Sequence, residues 1–227
     1  MKNHQNKLEQ KLIYAMTLFT FALAGACFYY AVILSSAPFF LLACVTFGTG
    51  FDFLSHILGI IYAQKKRFLL WYAKINFSLL CFGIVFTPLS ATFVIAKVSP
   101  SGLNSRLISQ YPAILLFSLL FGALFMIAKY TARPEQGALE YTLDKKDPYT
   151  YRIFLARRIL LGLSLIIALI AVFEGVQTKM ALWSILFAAS FIATIPLHIR
   201  HKMLASIAAE TLSLGLLFCG SWRVFVE

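Results

Sequence analysis

Asp52 and His56 stand four residues apart inside an apolar run that covers 39–63. On a helix that spacing puts both side chains on one face, stacked about one turn apart. An aspartate at the centre of a membrane helix costs about 2.5–3.5 kcal/mol on insertion scales. A carboxylate and an imidazole kept at that depth are a functional site by default, and together they offer proton transfer. Two further ionisable groups, Lys74 and Glu210, also lie inside apolar runs. At 1.5 Å of rise per residue, Asp52 is roughly 20 Å from Lys65 and His56 roughly 13 Å. Lys74 is roughly 10 Å past Arg67, and Glu210 roughly 12 Å past Lys202. With both basic connections on the cytoplasmic side, His56, Lys74 and Glu210 share a layer and Asp52 lies one turn deeper. A Lys74–Glu210 pair would let both charges be buried, while Asp52 and His56 pass protons. The plainer readings are a snorkelling Lys74, a Glu210 bonded within the bundle and a His56 on a backbone carbonyl. Glu174, His198 and His201 fall at helix ends and read as surface groups.

Other chemistries find little in this chain. Haem in a helix bundle is usually held by two axial histidines, and only His56 is deep, so no haem is expected. Cys27, Cys44, Cys81 and Cys219 all lie in apolar runs without metal-ligand spacing. They read as small buried hydrophobes, and no metal site is expected in this chain. There is no H-E-x-x-H, no G-x-S-x-G and no phosphate-cradling glycine loop. Phe (22) and Tyr (10) are abundant and read as lipid-facing or interfacial, with an aromatic slot for a quinone ring as an option.

The elements that must position these groups follow from composition. Of 227 residues, 60% are hydrophobic and 13% charged, where soluble domains carry about 25% charge. The solvent is therefore lipid. A span needs about 20 apolar residues, and open strands cannot satisfy their backbone in hydrocarbon. The expected architecture is an all-α, polytopic transmembrane helix bundle forming one domain over 1–227. It has about seven spans, near 12–34, 39–63, 68–87, 111–129, 153–173, 180–197 and 204–220. The N-terminal run reads as a retained first helix, since it outlasts a signal-peptide core. Pro38 and Pro112 suit helix starts, Pro88 breaks or kinks the third span, and Pro196 ends the sixth. The piece 89–97 then reads as interfacial, and 131–152 as a long polar connection.

The net charge of +11 belongs to orientation and headgroup contact, not to nucleic acid, because no basic face exists to hold a phosphate backbone. Lys and Arg concentrate at the N-terminus and in the second, fourth and sixth connections. That places the N-terminus in the cytoplasm and the C-terminus outside, in a multi-pass protein of the cell inner membrane. Spans one to three and five to seven show the same coarse charge pattern, as in a 3+1+3 repeat.

Gly48-Thr49-Gly50-Phe51 through Ser55-His56-Ile57-Leu58-Gly59 resembles the second helix of dimethyl sulfoxide reductase membrane-anchor subunits. Ala209-Glu210-Thr211-Leu212-Ser213-Leu214-Gly215-Leu216-Leu217-Phe218 is similar to that family's last helix, with Met180-Ala181-Leu182-Trp183 and the Tyr130…Pro134 stretch in comparable order. The resemblance implies a haem-free anchor that oxidises menaquinol. It implies an iron–sulfur partner subunit and a molybdopterin catalytic partner subunit, with His56 at the quinol. The chain departs from the family in span number and N-terminal side, and Ile60-Ile61 stand where the family has a proline. Family topology would also separate His56 and Glu210 onto opposite faces.

Three functions follow as expectations. One is a quinol-oxidising anchor subunit of an oxidoreductase complex, with His56, Asp52, Glu210 and Lys74 as quinone- or proton-binding residues. Another is a small proton-coupled transporter or channel with a 3+1+3 arrangement. The third is an accessory membrane protein without chemistry of its own.

Overall fold

The computed structural model describes residues 2–100, 103–135, 138–199 and 203–226. Of the described residues, 85% are helical. Its helices are α1 (Lys2–Ile33), α2 (Ala37–Ile61), α3 (Lys66–Val98), α4 (Leu103–Ser109), α5 (Tyr111–Ile127), α6 (Pro148–Val176), α7 (Ala181–Ile199) and α8 (Met203–Phe225). Between α5 and α6 two strands, β1 (Tyr130–Glu135) and β2 (Ala138–Leu143), pair antiparallel. Among the described residues, α1, α2, α3, α6 and α8 are long and apolar enough to cross a membrane. Helices α4 and α5, bent by 58° at their junction, add a sixth span if taken together.

Helix α3 is the hub. It packs on α2, α4, α5, α6, α8 and β2. It also runs unbroken through Pro88 to Val98, so the expected break there, and the interfacial piece after it, are corrected. Proline removes one helical N–H, but hydroxyls around it engage the neighbouring carbonyls. Thr87 donates to Gly83 O (2.7 Å), Ser90 to Phe86 O (2.8 Å) and Thr92 to Leu89 O (2.7 Å). Full burial of Leu89, Ala91, Val94 and Ile95 then makes continuation in protein cheaper than an interfacial turn. Helix α7 likewise continues to Ile199, past Pro196. Pro38 and Pro112 do sit in the first turns of α2 and α5, where the missing N–H has no intrahelical partner to lose.

The fold is all-α as expected, and the polar connection expected over 131–152 carries the two-stranded hairpin, whose backbone pairs across its strands. Leu143 and Tyr130 join Cys81, Phe121, Phe125 and Ile153 in a cluster that ties it to α3, α5 and α6. Tyr130 Oη donates to Phe125 O (3.0 Å). Asp147 starts α6 by accepting from Thr150 N (3.0 Å), and Lys129 Nζ meets its other oxygen at 2.6 Å. The Lys129 hydrogen bond leads, and with the Thr150 donors it holds the Asp147 carboxyl down to about 2.

The main core joins α1, α2, α3, α6, α7 and α8 through Cys27, Leu42, Phe86, Ala171, Phe187 and Leu217. These residues lie in the half of the bundle away from the basic connections. Close packing there is enforced by glycine. A Cβ on Gly175 would lie 2.0 Å from Ser184 Oγ and 2.9 Å from Ile95 Cδ1. Gly175→Ala should therefore destabilise the protein by about 1–3 kcal/mol, as overpacking does. A lowered unfolding midpoint in detergent would register it; an unchanged midpoint would mean that α6 and α7 pack less tightly than described. Cys27 and Cys81 are buried as expected, whereas Cys44 and Cys219 are exposed on the bundle's outside.

Candidate functional site

Two cavities lie in the half of the bundle next to the basic connections, beside a small packed cluster of Ile13, Phe53, Ile57 and Ile207. A deep cavity of about 340 Å³ lies among α2, α3, α6, α7 and α8, bounded by Leu80, Ile84, Leu161, Phe191 and Leu214. A second of about 510 Å³ extends from it to the hairpin, bounded by Tyr72, Asn76, Arg133, Glu140 and Lys145. Asp52, Arg157, Arg158 and Glu210 line both. Both volumes fall in the ~300–1,000 Å³ range of small-molecule sites.

Asp52 is placed by α2, whose other faces are consumed by packing on α1 and α3. Its carboxylate accepts from Asn76 Nδ2 on α3 at 2.6 Å. Asn76 is 5% exposed, and its Oδ1 is buried without a hydrogen-bond partner. A buried orphan acceptor costs roughly 1–3 kcal/mol, so its persistence beside a cavity marks a place where a donor is received. Tyr72 stacks on Phe51 with ring centroids 4.2 Å apart, and its hydroxyl donates to Phe51 O. That contact fixes the α2–α3 approach beside Asp52.

Arg157 and Arg158 enter from the third turn of α6. Arg157 lies over the Phe77 ring (5.4 Å), and Arg158 over the Phe154 ring (4.5 Å). Lys145 lies over the same Phe154 ring at 4.4 Å. Glu210 comes from α8 and lines both cavities together with Asp52.

His56 is 4% exposed and holds Glu140 of β2, Nδ1 to Oε1 at 2.9 Å. The pair bonds the hairpin to the bundle over the outer cavity. Asp52 and His56 share the face expected of them, but their hydrogen bonds diverge, to Asn76 and to Glu140.

The Lys74–Glu210 pair is corrected. Lys74 Nζ donates to Met126 O (2.8 Å) on the α5 side and lies over Trp71, whereas Glu210 lines the cavities. Lys74 is thus a tether between α3 and α5. Glu174 is also not a bare surface group. It accepts from Asn104 Nδ2 (2.5 Å), Asn104 N (3.2 Å) and Leu103 N, holding the first turn of α4. The His198 side chain and His201 fall outside the described residues.

Sequence reasoning passed over Arg157, Arg158, Asn76 and Glu140. Arg157-Arg158 lie four residues inside an apolar run that begins at 153, and Asn76 interrupts another, which was a signal of the same kind as Asp52. Glu140 carried no signal, because only the hairpin brings it to α2. No protein-family model matches the chain, and no curated protein matches it.

Proposed function

We propose that this chain is a seven-span, proton-coupled carrier of the cell inner membrane that binds a small solute in its paired cavities. The observation that carries the reading is the meeting of Asp52, Arg157, Arg158 and Glu210, from three helices, in space that small solutes fit. Ionisable groups at membrane depth persist where they serve a pathway, and a polar cavity is what makes them tolerable. In this reading α7 is the seventh span. Helices α2 and α3 of the first triplet and α6–α8 of the second line the cavities, consistent with a 3+1+3 arrangement. The packed core closes the far half, and the cavities open toward the basic, cytoplasmic side. Protons enter on Asp52 or Glu210. A proton on Asp52 would let the Asn76 amide turn over and accept from it, which settles the orphan Oδ1 and frees the amide N–H for the solute.

A second reading is favoured by the His56–Glu140 pair. In a quinol-oxidising anchor subunit, His56 would take a proton from quinol and pass it to Glu140, and the electrons would leave to an iron–sulfur partner and a molybdopterin subunit. Purification of the native chain in mild detergent separates the two. A chain free of other subunits, iron and molybdenum supports the carrier; co-purifying metal-bearing soluble subunits would replace it with the anchor.

A further inference from the structure

Three cations crowd two aromatic rings at the cavity junction. Arg158 and Lys145 lie over Phe154, and Arg157 over Phe77. A guanidinium resting on a ring engages its face and leaves its in-plane N–H donors to fork an acidic group. Directly beyond lies the deep cavity, whose wall is mostly apolar, with Leu80, Ile84, Leu161 and Phe191, and carries the hydroxyls of Thr87, Thr194 and Ser213. Gly83 lines that space, and a Cβ built there meets no atom within 4 Å. Charged donors at one end and a mostly apolar chamber at the other describe a ligand with the same division.

We propose that the paired cavities take an amphipathic organic anion. Its carboxylate or phosphate lies on Arg157 and Arg158, and its apolar body fills the chamber in front of Gly83. This deepens the carrier reading by naming its substrate class, and it rests on that reading. Charge balance agrees. In the deep cavity, Asp52 and Glu210 when both ionised offset Arg157 and Arg158, and an anion is disfavoured there. A proton on each carboxyl leaves two guanidiniums to be matched, so anion and protons enter together. Arg133 and Lys145 line the outer cavity and not the deep one, and Glu140 beside them is occupied with His56. Lys74, on α3, points instead to α5.

The test is equilibrium binding, which needs no translocation. The purified chain is placed in phosphatidylcholine nanodiscs with radiolabelled octanoate, counted against empty discs. Unlabelled octanoate should compete at least about tenfold better than acetate, because each buried methylene favours binding, and octylammonium should not compete. Arg157→Gln combined with Arg158→Gln should weaken octanoate at least about tenfold. Gly83→Phe keeps every charge and fills the chamber, so it should lower octanoate to the level of acetate. Phosphatidylglycerol added to the disc distinguishes two sources of the same chemistry. Displacement of octanoate means that the occupant arrives from the bilayer, and no displacement that it arrives from water; either supports the anion site. Equal competition by octylammonium overturns it. So does failure of both octanoate and phosphatidylglycerol to bind protein that keeps the wild-type unfolding midpoint. Binding without flux would leave this assignment standing and remove the carrier reading; flux of a solute that is not an anion would do the reverse.

Discussion

Proteoliposomes carrying Asp52→Asn should lose proton-driven solute uptake by about 5- to 150-fold, while the variant still folds. Asn keeps the shape of Asp and can still bond Asn76, so packing between α2 and α3 is retained. What it cannot do is exchange a proton. In the space shared by Asp52, Arg157, Arg158 and Glu210, it also leaves the arginines permanently less compensated. Solute should therefore bind as well as or better than to the wild type, and not be released under a proton gradient. Coupling energies of 1–3 kcal/mol correspond to about 5- to 150-fold, so a loss of that size is expected if Asp52 is the coupling carboxyl. Uptake that continues at the wild-type rate would remove Asp52 from the mechanism and leave Glu210 alone to be tested.

The other large effect concerns the hairpin. His56→Ala leaves Glu140 without its partner and empties a buried site, at a cost of roughly 1–3 kcal/mol for the lost buried hydrogen bond. The hairpin has no membrane helix of its own, so that cost falls on its docking. Cys81, 1% exposed, is buried in the cluster that Leu143 helps to cover. With Cys27, Cys44 and Cys219 replaced by serine, maleimide labelling of Cys81 should rise at least about tenfold in His56→Ala. Glu140→Gln should raise it less, since glutamine still accepts from the imidazole. Labelling at the wild-type rate in both variants would mean that apolar contacts alone hold the hairpin. The anchor reading makes a separate demand on the same protein, that quinol oxidation vanish in His56→Ala while assembly persists.

Much of this was legible in the sequence, and the illegible part has physical reasons. Apolar length exposes a long helix directly, so α1, α2, α6 and α8 were readable, as was the shared face of Asp52 and His56; the span expected over 111–129 is α5, which reaches span length only together with α4. Rotation about a helix axis was not readable. Lys74 and Asn76 are two residues apart, roughly 200° around α3. One therefore faces α5 and the other Asp52, and the Lys74–Glu210 pair fails for that reason. Arg157 and Arg158 stand near a helix end, where the positive-inside rule accounts for any arginine; only the neighbouring α2, α3 and α8 turn them into cavity groups. The hairpin was hidden because its strands are six residues each and β1 contains Pro134, a residue that reads as loop. Its pairing of Arg133 with Glu140 is a tertiary fact with no local periodicity behind it.

The most direct measurement is proton movement by the chain alone. Vesicles holding the purified protein, reconstituted without other subunits, would enclose a pH-sensitive dye, and an outside-to-inside gradient of octyl phosphate, which stays ionised and does not cross the bilayer unaided, would be imposed. The expected result is acidification faster than in empty vesicles, lost in Asp52→Asn and slowed by acidic competitors. Identical traces from loaded and empty vesicles, with intact folded protein in the membrane, would contradict the carrier and return the cavity charges to a role in a larger complex.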